Sequence, residues 1–330
     1  MERSLRIVIP GGSGQIGTLL ASGLQAAGHH VTVLTRSPYS APWQTMHWDG
    51  QTSGPWIETL NGADLCINLT GRSINCRFTS ENRRQLYGSR IDSTRLLGEV
   101  IGSLTNPPRL WINASAVSIY PHATDRLLDE DEAENGIAQR IPAFGLFLRS
   151  VPSSWSFLAQ LVHDWEEALF AAPTPHTRRI ALRSSIVLSP QPGTAFGVLS
   201  RLVQFGVGGT AGSGRQYLAW MHEQDYLRAI EFLIDHEELH GPINMTAPEP
   251  ATNRDFMAAL RTAWNRPNGL WAPEWGIKLG CTLMGSESEL VLKSRPIIPT
   301  RLLDAGFRFN FPSWPDAARD LVRLWRLREK

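Results

Sequence analysis

Apolar residues in the first third of the chain come in short unbroken runs separated by stretches of helical period. Leu5–Pro10 and His30–Leu34 are two such runs, and Asp64–Leu69 (DLCINL) and Arg109–Ala114 (RLWINA) are two more. Runs of this length, bounded by turn residues, predict strands buried on both faces, as in a parallel sheet. Ile16–Ala27 repeats at helical spacing and stops at Gly28, and Thr79–Leu104 predicts a long helix with Thr79 or Ser80 as its cap. Strand and helix therefore alternate through residue 115. That order predicts an α/β doubly wound parallel sheet.

Past residue 115 the pattern loosens. An irregular stretch, Pro121–Ser154, holds an acidic run at Asp129–Glu134 and an apolar piece at Ile141–Val151. Trp155–Ala171 then predicts a helix and Arg178–Leu188 a strand. A glycine-rich segment, Gly206–Gly214, precedes Tyr217–His222; helices are expected over Gln224–Asp235, from Thr252 or Asn253 to Trp264, and over Pro315–Arg328. No repeat and no low-complexity linker interrupts the chain. We expect a domain at residues 1–190 and a smaller C-terminal α/β lobe at 191–330, interleaved at the boundary and sharing an interface.

Composition changes this picture little. Of 330 residues, 42% are hydrophobic and 19% charged, and the net charge of +1 gives no basis for a nucleic-acid or anionic-membrane partner. Lysine occurs only at Lys278, Lys293 and Lys330, so the basic residues are nearly all arginine. Cys66, Cys76 and Cys281 have neither disulfide-framework nor zinc-ligand spacing, and no metal site is expected. Met1-Glu2-Arg3-Ser4 leads straight into a strand-like segment, and no apolar run reaches the roughly 20 residues that span a bilayer. A cytoplasmic location is the expectation.

The first candidate chemistry lies at the first strand–helix junction. Gly11-Gly12-Ser13-Gly14-Gln15-Ile16-Gly17 closes the strand and opens the helix. Gly11 permits the tight turn, Gly14 lets backbone approach a pyrophosphate, and Gly17 lets helix pack on strand. The helix start offers free N–H groups and a positive dipole end to an anion. An Asp or Glu closing the second strand would bond the adenosine ribose hydroxyls, but Thr35-Arg36-Ser37 stands there instead. Arg36 can pair with a 2′-phosphate, so NADP(H) is the expected cofactor of a Rossmann-type domain.

These residues resemble the short-chain dehydrogenase/reductase superfamily, extended type. Within it the chain is similar to the atypical, YfcH-like epimerase family, NAD-dependent epimerase/dehydratase-like, with a C-terminal DUF1731 segment. The resemblance runs from about Leu5 to Trp325. Besides the glycine loop it rests on NLTG at Asn68–Gly71, SRIDSTRLL at Ser89–Leu97, NASAV at Asn113–Val117, DWEEA at Asp164–Ala168 and LRSSIVLSP at Leu182–Pro190. The more specific matches are GSGRQYLAWMH at Gly212–His222, INMTAPEPATNRDF at Ile243–Phe256 and SRPIIPTRLLDAGFRF at Ser294–Phe309.

The resemblance implies that Gly11, Ser13, Gly14, Gln15, Ile16 and Gly17 hold the cofactor with Arg36 and Ser37. It places Asn68, Leu69, Thr70 and Gly71 against the adenosine and ribose, Ser184–Val187 (Ser185 included) near the nicotinamide, and Ser115 at the catalytic serine position. Arg215 and Arg295 match places where relatives hold a substrate phosphate, so a small, anionic substrate is implied. The protein is expected as a monomer or a homodimer. Relatives pair through the helices beside the long central one, and Arg90–Val100 would take part.

One part of the family's chemistry is missing. The superfamily donates or removes a proton with a Tyr whose pKa is lowered by a Lys four residues on. No tyrosine here has a Lys at that spacing, and the two positions fall near Val162 and Glu166. Four residues remain as candidates. Ser115 either orients a substrate oxygen or caps its strand. Tyr120 is a weak acid without a Lys, in a motif altered to Ile119-Tyr120-Pro121. His163 either transfers protons or faces solvent, and Glu166 is either a buried acid–base carboxylate or a surface charge. Loss of the pair leaves two readings open: an NADP-dependent oxidoreductase or epimerase with another relay, or a non-catalytic redox sensor. Finally, Asp129–Trp155 exceeds the family pattern by roughly a dozen residues, and Ile141–Val151 is either a substrate-facing flap or core filling.

Overall fold

A computed structural model describes residues 4–132, 140–142, 148–150, 152–283, 285 and 287–329. Its centre is a seven-stranded sheet built from β1 (Arg6–Pro10), β2 (His30–Thr35), β3 (Gln44–His47), β4 (Leu65–Asn68), β5 (Leu110–Ala116), β8 (Arg178–Ser184) and β12 (Gly241–Met245). Their order is β12-β8-β5-β4-β1-β2-β3, and every pair is parallel. The order reverses between β1 and β4. In open α/β sheets, ligands lie at such a switch point, outside the carboxyl ends of the strands.

Alternation along the strands explains the layers. Ile7 and Ile9 turn to one face of the sheet and pack with α1 (Gln15–Ala26) and α6 (Glu223–Asp235) through Leu20, Leu24, Tyr226 and Ile230. Val8 turns to the other face with Cys66 and Trp111, where Leu97 and Ile101 of α3 (Ser80–Ser103) and Leu169 of α4 (Ser153–Phe170) cover them. Thr79 caps α3, its side chain accepting from the Asn82 amide at 3.2 Å. A short helix, α2 (Ile57–Leu60), follows β3.

The remaining elements form the second lobe and its connections. The stretch expected as one strand to Leu188 breaks at Ser185: β9 (Ile186–Leu188) leaves the sheet and pairs with β11 (Trp220–His222). The break follows from Ser185, whose amide and hydroxyl both bond the carbonyl of Met245. β10 (Tyr217–Leu218) pairs with β13 (Ala251–Thr252). The lobe's core joins α5 (Ala195–Gln204), α7 (Asn253–Ala263) and α11 (Trp314–Arg328), with Trp314 stacked on Phe256 at 3.9 Å. Three shorter helices, α8 (Glu274–Leu283), α9 (Glu289–Leu292) and α10 (Thr300–Asp304), carry the chain back toward the sheet. Within the long irregular stretch, β6 (Arg140–Pro142) and β7 (Leu148–Ser150) pair antiparallel; residues 133–139, 143–147 and 151, and with them much of the expected flap at Ile141–Val151, lie outside the described residues. Among the described residues no helix is long and apolar enough to cross a membrane.

Candidate functional site

The glycine loop lies at the switch point. Gly11 has φ +73°, and a Cβ there would sit 2.7 Å from the backbone of Thr70, so only glycine fits between the β1 and β4 loops. A Cβ on Gly17 would sit 2.3 Å from the Gly12 carbonyl oxygen, which fixes the approach of α1 to β1. Gly14 differs from both. It is exposed, and a Cβ there would meet nothing within 4 Å, so the protein itself does not require glycine. Gly14 is also the α1 N-cap, without a side-chain cap bond, so the first turn's amides stay open to an anion. These features fit a dinucleotide pyrophosphate.

The other expected cofactor residues surround this point unevenly. Ser13, Gln15, Arg36, Ser37 and Gly71 are exposed; Ile16, Leu69 and Thr70 are half-buried. Gln15 Nε2 donates to the Val187 carbonyl at 3.3 Å and so ties the loop to β9. Asn68 is fully buried: it donates to Asn113 Oδ1 at 2.7 Å and accepts from the Thr70 amide at 3.1 Å. Asn68 thus shapes the turn that presents Thr70 and Gly71.

Three of the four candidate acid–base residues meet at the end of β5. Ser115 Oγ donates to Glu166 Oε1 at 2.5 Å. The guanidinium of Arg183, from β8, holds the same carboxylate by two bonds: Nε to Oε1 and Nη2 to Oε2, each 2.9 Å. Arg183 Nη1 reaches on to the Tyr120 hydroxyl at 2.9 Å and the Glu130 carbonyl at 2.7 Å. Tyr120 in turn donates to Asn244 Oδ1 at 2.7 Å. Ser115, Glu166 and Arg183 are all buried. A buried carboxylate needs a partner of this kind, and the bidentate fork is what an arginine supplies.

Geometry separates the four candidates. Ser115, Tyr120 and Glu166 share one network, and His163 stands outside it. The His163 ring is half-exposed, 3.3 Å from Asp164, whose other oxygen accepts from Tyr87. Burial pushes the Tyr120 phenol well above its usual range, although Arg183 pulls it the other way. Arg183, Glu130 and Asn244 were not singled out from the sequence. One signal was available: an Arg inside the apolar run of LRSSIVLSP is costly unless paired.

The two substrate-side arginines differ. Arg215 is exposed on the loop after Gly214, whereas Arg295 is buried and gives Nη2 to Glu289 Oε1 at 2.6 Å. Lys293 is buried with them; its amine donates to the Ser118 carbonyl at 3.3 Å, just past Ser115 on the chain. Burial pushes that ammonium down to about 7. His222 and Asp225 serve structure. His222 caps α6, and Asp225 accepts the amides of Asn310 and Phe311, pinning the C-terminal segment to that helix.

Fold, strand order and glycine loop together define a short-chain dehydrogenase/reductase of the extended type. The chain belongs to the NAD-dependent epimerase/dehydratase family: that family's model matches residues 7–141, and the domain of unknown function DUF1731 matches residues 272–321. An epimerase family protein of Mycobacterium leprae is 34% identical over 315 residues, 94% of this chain and 93% of its own length. One of Staphylococcus aureus is 30% identical over 96% of this chain and 98% of its own length. The crystal structure of human epimerase family protein SDR39U1 with NADPH superimposes with a TM-score of 0.82 at 27% identity, covering 97% of this chain and 99% of that one. A nucleoside-diphosphate sugar epimerase from Corynebacterium glutamicum gives 0.73 at 25% identity, covering 97% of this chain and 59% of its own.

Proposed function

We propose that the protein is an NADP(H)-dependent oxidoreductase or epimerase-like enzyme for a small, anionic substrate. In this reading Ser115, Glu166 and Arg183 stand in for the missing Tyr–Lys pair. Cofactor binding rests on the open helix start at Gly14 and on the NADPH in the human relative. The choice of the phosphorylated form rests on Arg36, exposed at the end of β2 with no carboxylate between it and Trp48. A guanidinium there favours an added phosphate by a charge-assisted bond.

The observation that carries the catalytic reading is the 2.5 Å bond from Ser115 Oγ to Glu166. Ser115 spends its single proton on that carboxylate, so its lone pairs remain to accept a bond from a substrate hydroxyl. As such a hydroxyl loses its proton to Ser115, the serine proton passes to Glu166. Arg183 holds the carboxylate in place by its two bonds to Oε1 and Oε2. A bound nicotinamide supplies hydride acceptance, or donation in the reverse direction. Arg215 is the exposed cation available to an anionic substrate, and Arg295 is spent on Glu289.

Nucleotide sugars and small alcohols and ketones, offered with NADP⁺ or NADPH, test the reading. Nicotinamide absorbance and product stereochemistry are the readouts. Wild-type turnover is expected to fall about 10²–10⁴-fold in Ser115→Ala and in Glu166→Gln, the range of one acid–base group, with cofactor affinity retained. Tight cofactor binding with no turnover anywhere in the panel would favour the non-catalytic sensor instead.

A further inference from the structure

Two stretches of the second lobe leave large apolar side chains in water. Val198, Leu202 and Phe205 recur at helical spacing along α5 and its C-cap, and Val207 follows them. Leu270, Trp271 and Trp275 lead into α8, and Leu279 and Leu283 continue along it. These nine are most of the thirteen large apolar side chains exposed among the described residues. The Leu270 amide donates to the Gly206 carbonyl at 3.1 Å, and a Cβ on Gly209 would sit 2.1 Å from the Leu270 carbonyl oxygen. The two stretches therefore run against each other as one surface.

Three of the nine are rings. Phe205, Trp271 and Trp275 are 80%, 63% and 72% exposed. Rings of that size present on the order of 400 Å² at such exposure. The aliphatic side chains beside them carry the patch past the roughly 300–600 Å² of a typical monomer. Trp271 Nε1 donates to the Gly212 carbonyl at 2.8 Å, so the polar edge of that indole is already spent on the protein.

Charge decides what this surface fits. The chain's net charge is only +1, but residues 198–216 and 265–283 carry Arg201, Arg215, Arg266 and Lys278 against one acid, Glu274. All four cations are exposed. Arg201 stands three residues from Val198 and four from Phe205, and Lys278 three from Trp275, so each flanks the apolar stripe of its own helix. Surface helices with rings and leucines on one side and Arg or Lys beside them lie in the headgroup layer of an anionic bilayer. Tryptophan favours that layer. The far end of α8 is tied to the start of α3, Arg77 Nη1 donating to Thr282 Oγ1 at 3.1 Å, so the contact surface is the part ahead of that joint, from Phe205 and Leu270 to Trp275. We propose that the protein docks peripherally on an anionic membrane surface through Phe205, Trp271 and Trp275, with Arg201, Arg266 and Lys278 against the lipid phosphates.

Co-flotation of the full-length protein with lipid vesicles tests the proposal. Vesicles of equal parts phosphatidylcholine and phosphatidylserine are expected to carry the protein, and pure phosphatidylcholine to carry it at least tenfold less. Binding to the anionic vesicles should fall as salt is raised. Phe205→Ser and Trp275→Ser should each weaken it about tenfold, the loss of one inserted ring. Arg201→Gln and Lys278→Gln should each weaken it about fivefold on anionic vesicles. All four side chains are exposed in the free protein, so the melting temperatures should match wild type. Absence of flotation, equal binding to pure phosphatidylcholine, or variants that float like wild type would overturn the proposal. So would self-association in sedimentation that the ring variants abolish while vesicles leave the protein unbound.

Discussion

At the residue scale, the Glu166 carboxylate on α4 is held by the guanidinium of Arg183 on β8, and both residues are buried. Because the pair is buried, the two residues are expected to be energetically inseparable. Removing one partner strands a buried charge, and Glu166→Ala or Arg183→Ala should each cost about 3–5 kcal/mol of unfolding free energy. Replacing both with apolar residues of similar volume should cost less than the two single losses added together, as read from a double-mutant cycle in urea. Lys293 offers a second test. Its amine titrates near 7 in the fold and at its ordinary 10.5 in the unfolded chain. Between those values the unfolded chain holds the extra proton, so this group makes stability rise with pH through that window. Melting temperatures from pH 7 upward should rise less in Lys293→Met than in wild type. Sequence pointed to Ser115, Tyr120 and Glu166 through motif positions, but which of them touch depends on Arg183 and Asn244. Those contacts span 17 to 124 residues along the chain, beyond the reach of any local pattern.

At the scale of elements, the helix that opens on the glycine loop separates fold from binding. Gly11→Ala places a side chain against the Thr70 backbone at a positive φ, and a destabilisation of about 1–3 kcal/mol is expected with or without cofactor. Gly14→Ala meets only open space. Its melting temperature should stay near wild type while cofactor affinity falls about tenfold or more, as measured by tryptophan quenching. The elements read most clearly from sequence were those whose signals are local. Leu5–Pro10, the Thr79-capped α3, and α11 with Pro315 in its first turn all match. The edge strand β3, with sequence QTMH, carries no apolar run, and α2 spans a single turn; neither offers a periodic signal. Arg178–Leu188 is continuous in hydrophobicity, so its break at Ser185 depends on Met245, far along the chain.

At the scale of the whole molecule, β12 shows what a linear reading leaves out. Gly241–Met245 lies well past residue 190, beyond β10 and β11, yet forms the outer strand of the main sheet, beside β8. Its sequence, GPINM, says nothing of that partner. The DUF1731 segment likewise returns to the site, bringing Lys293 under the Ser118 carbonyl and Glu289 under Arg295. In the proposed function, cofactor and substrate sides are assembled from the full length of the chain, with the open start of α1 and Arg36 after β2 on the cofactor side. Calorimetric titration of the folded protein with NADPH and with NADH tests that arrangement most directly. NADPH should bind at least about tenfold more tightly than NADH, and Arg36→Ser should abolish the difference by weakening NADPH alone. Heat from neither dinucleotide, in a sample that melts cooperatively, would contradict the account.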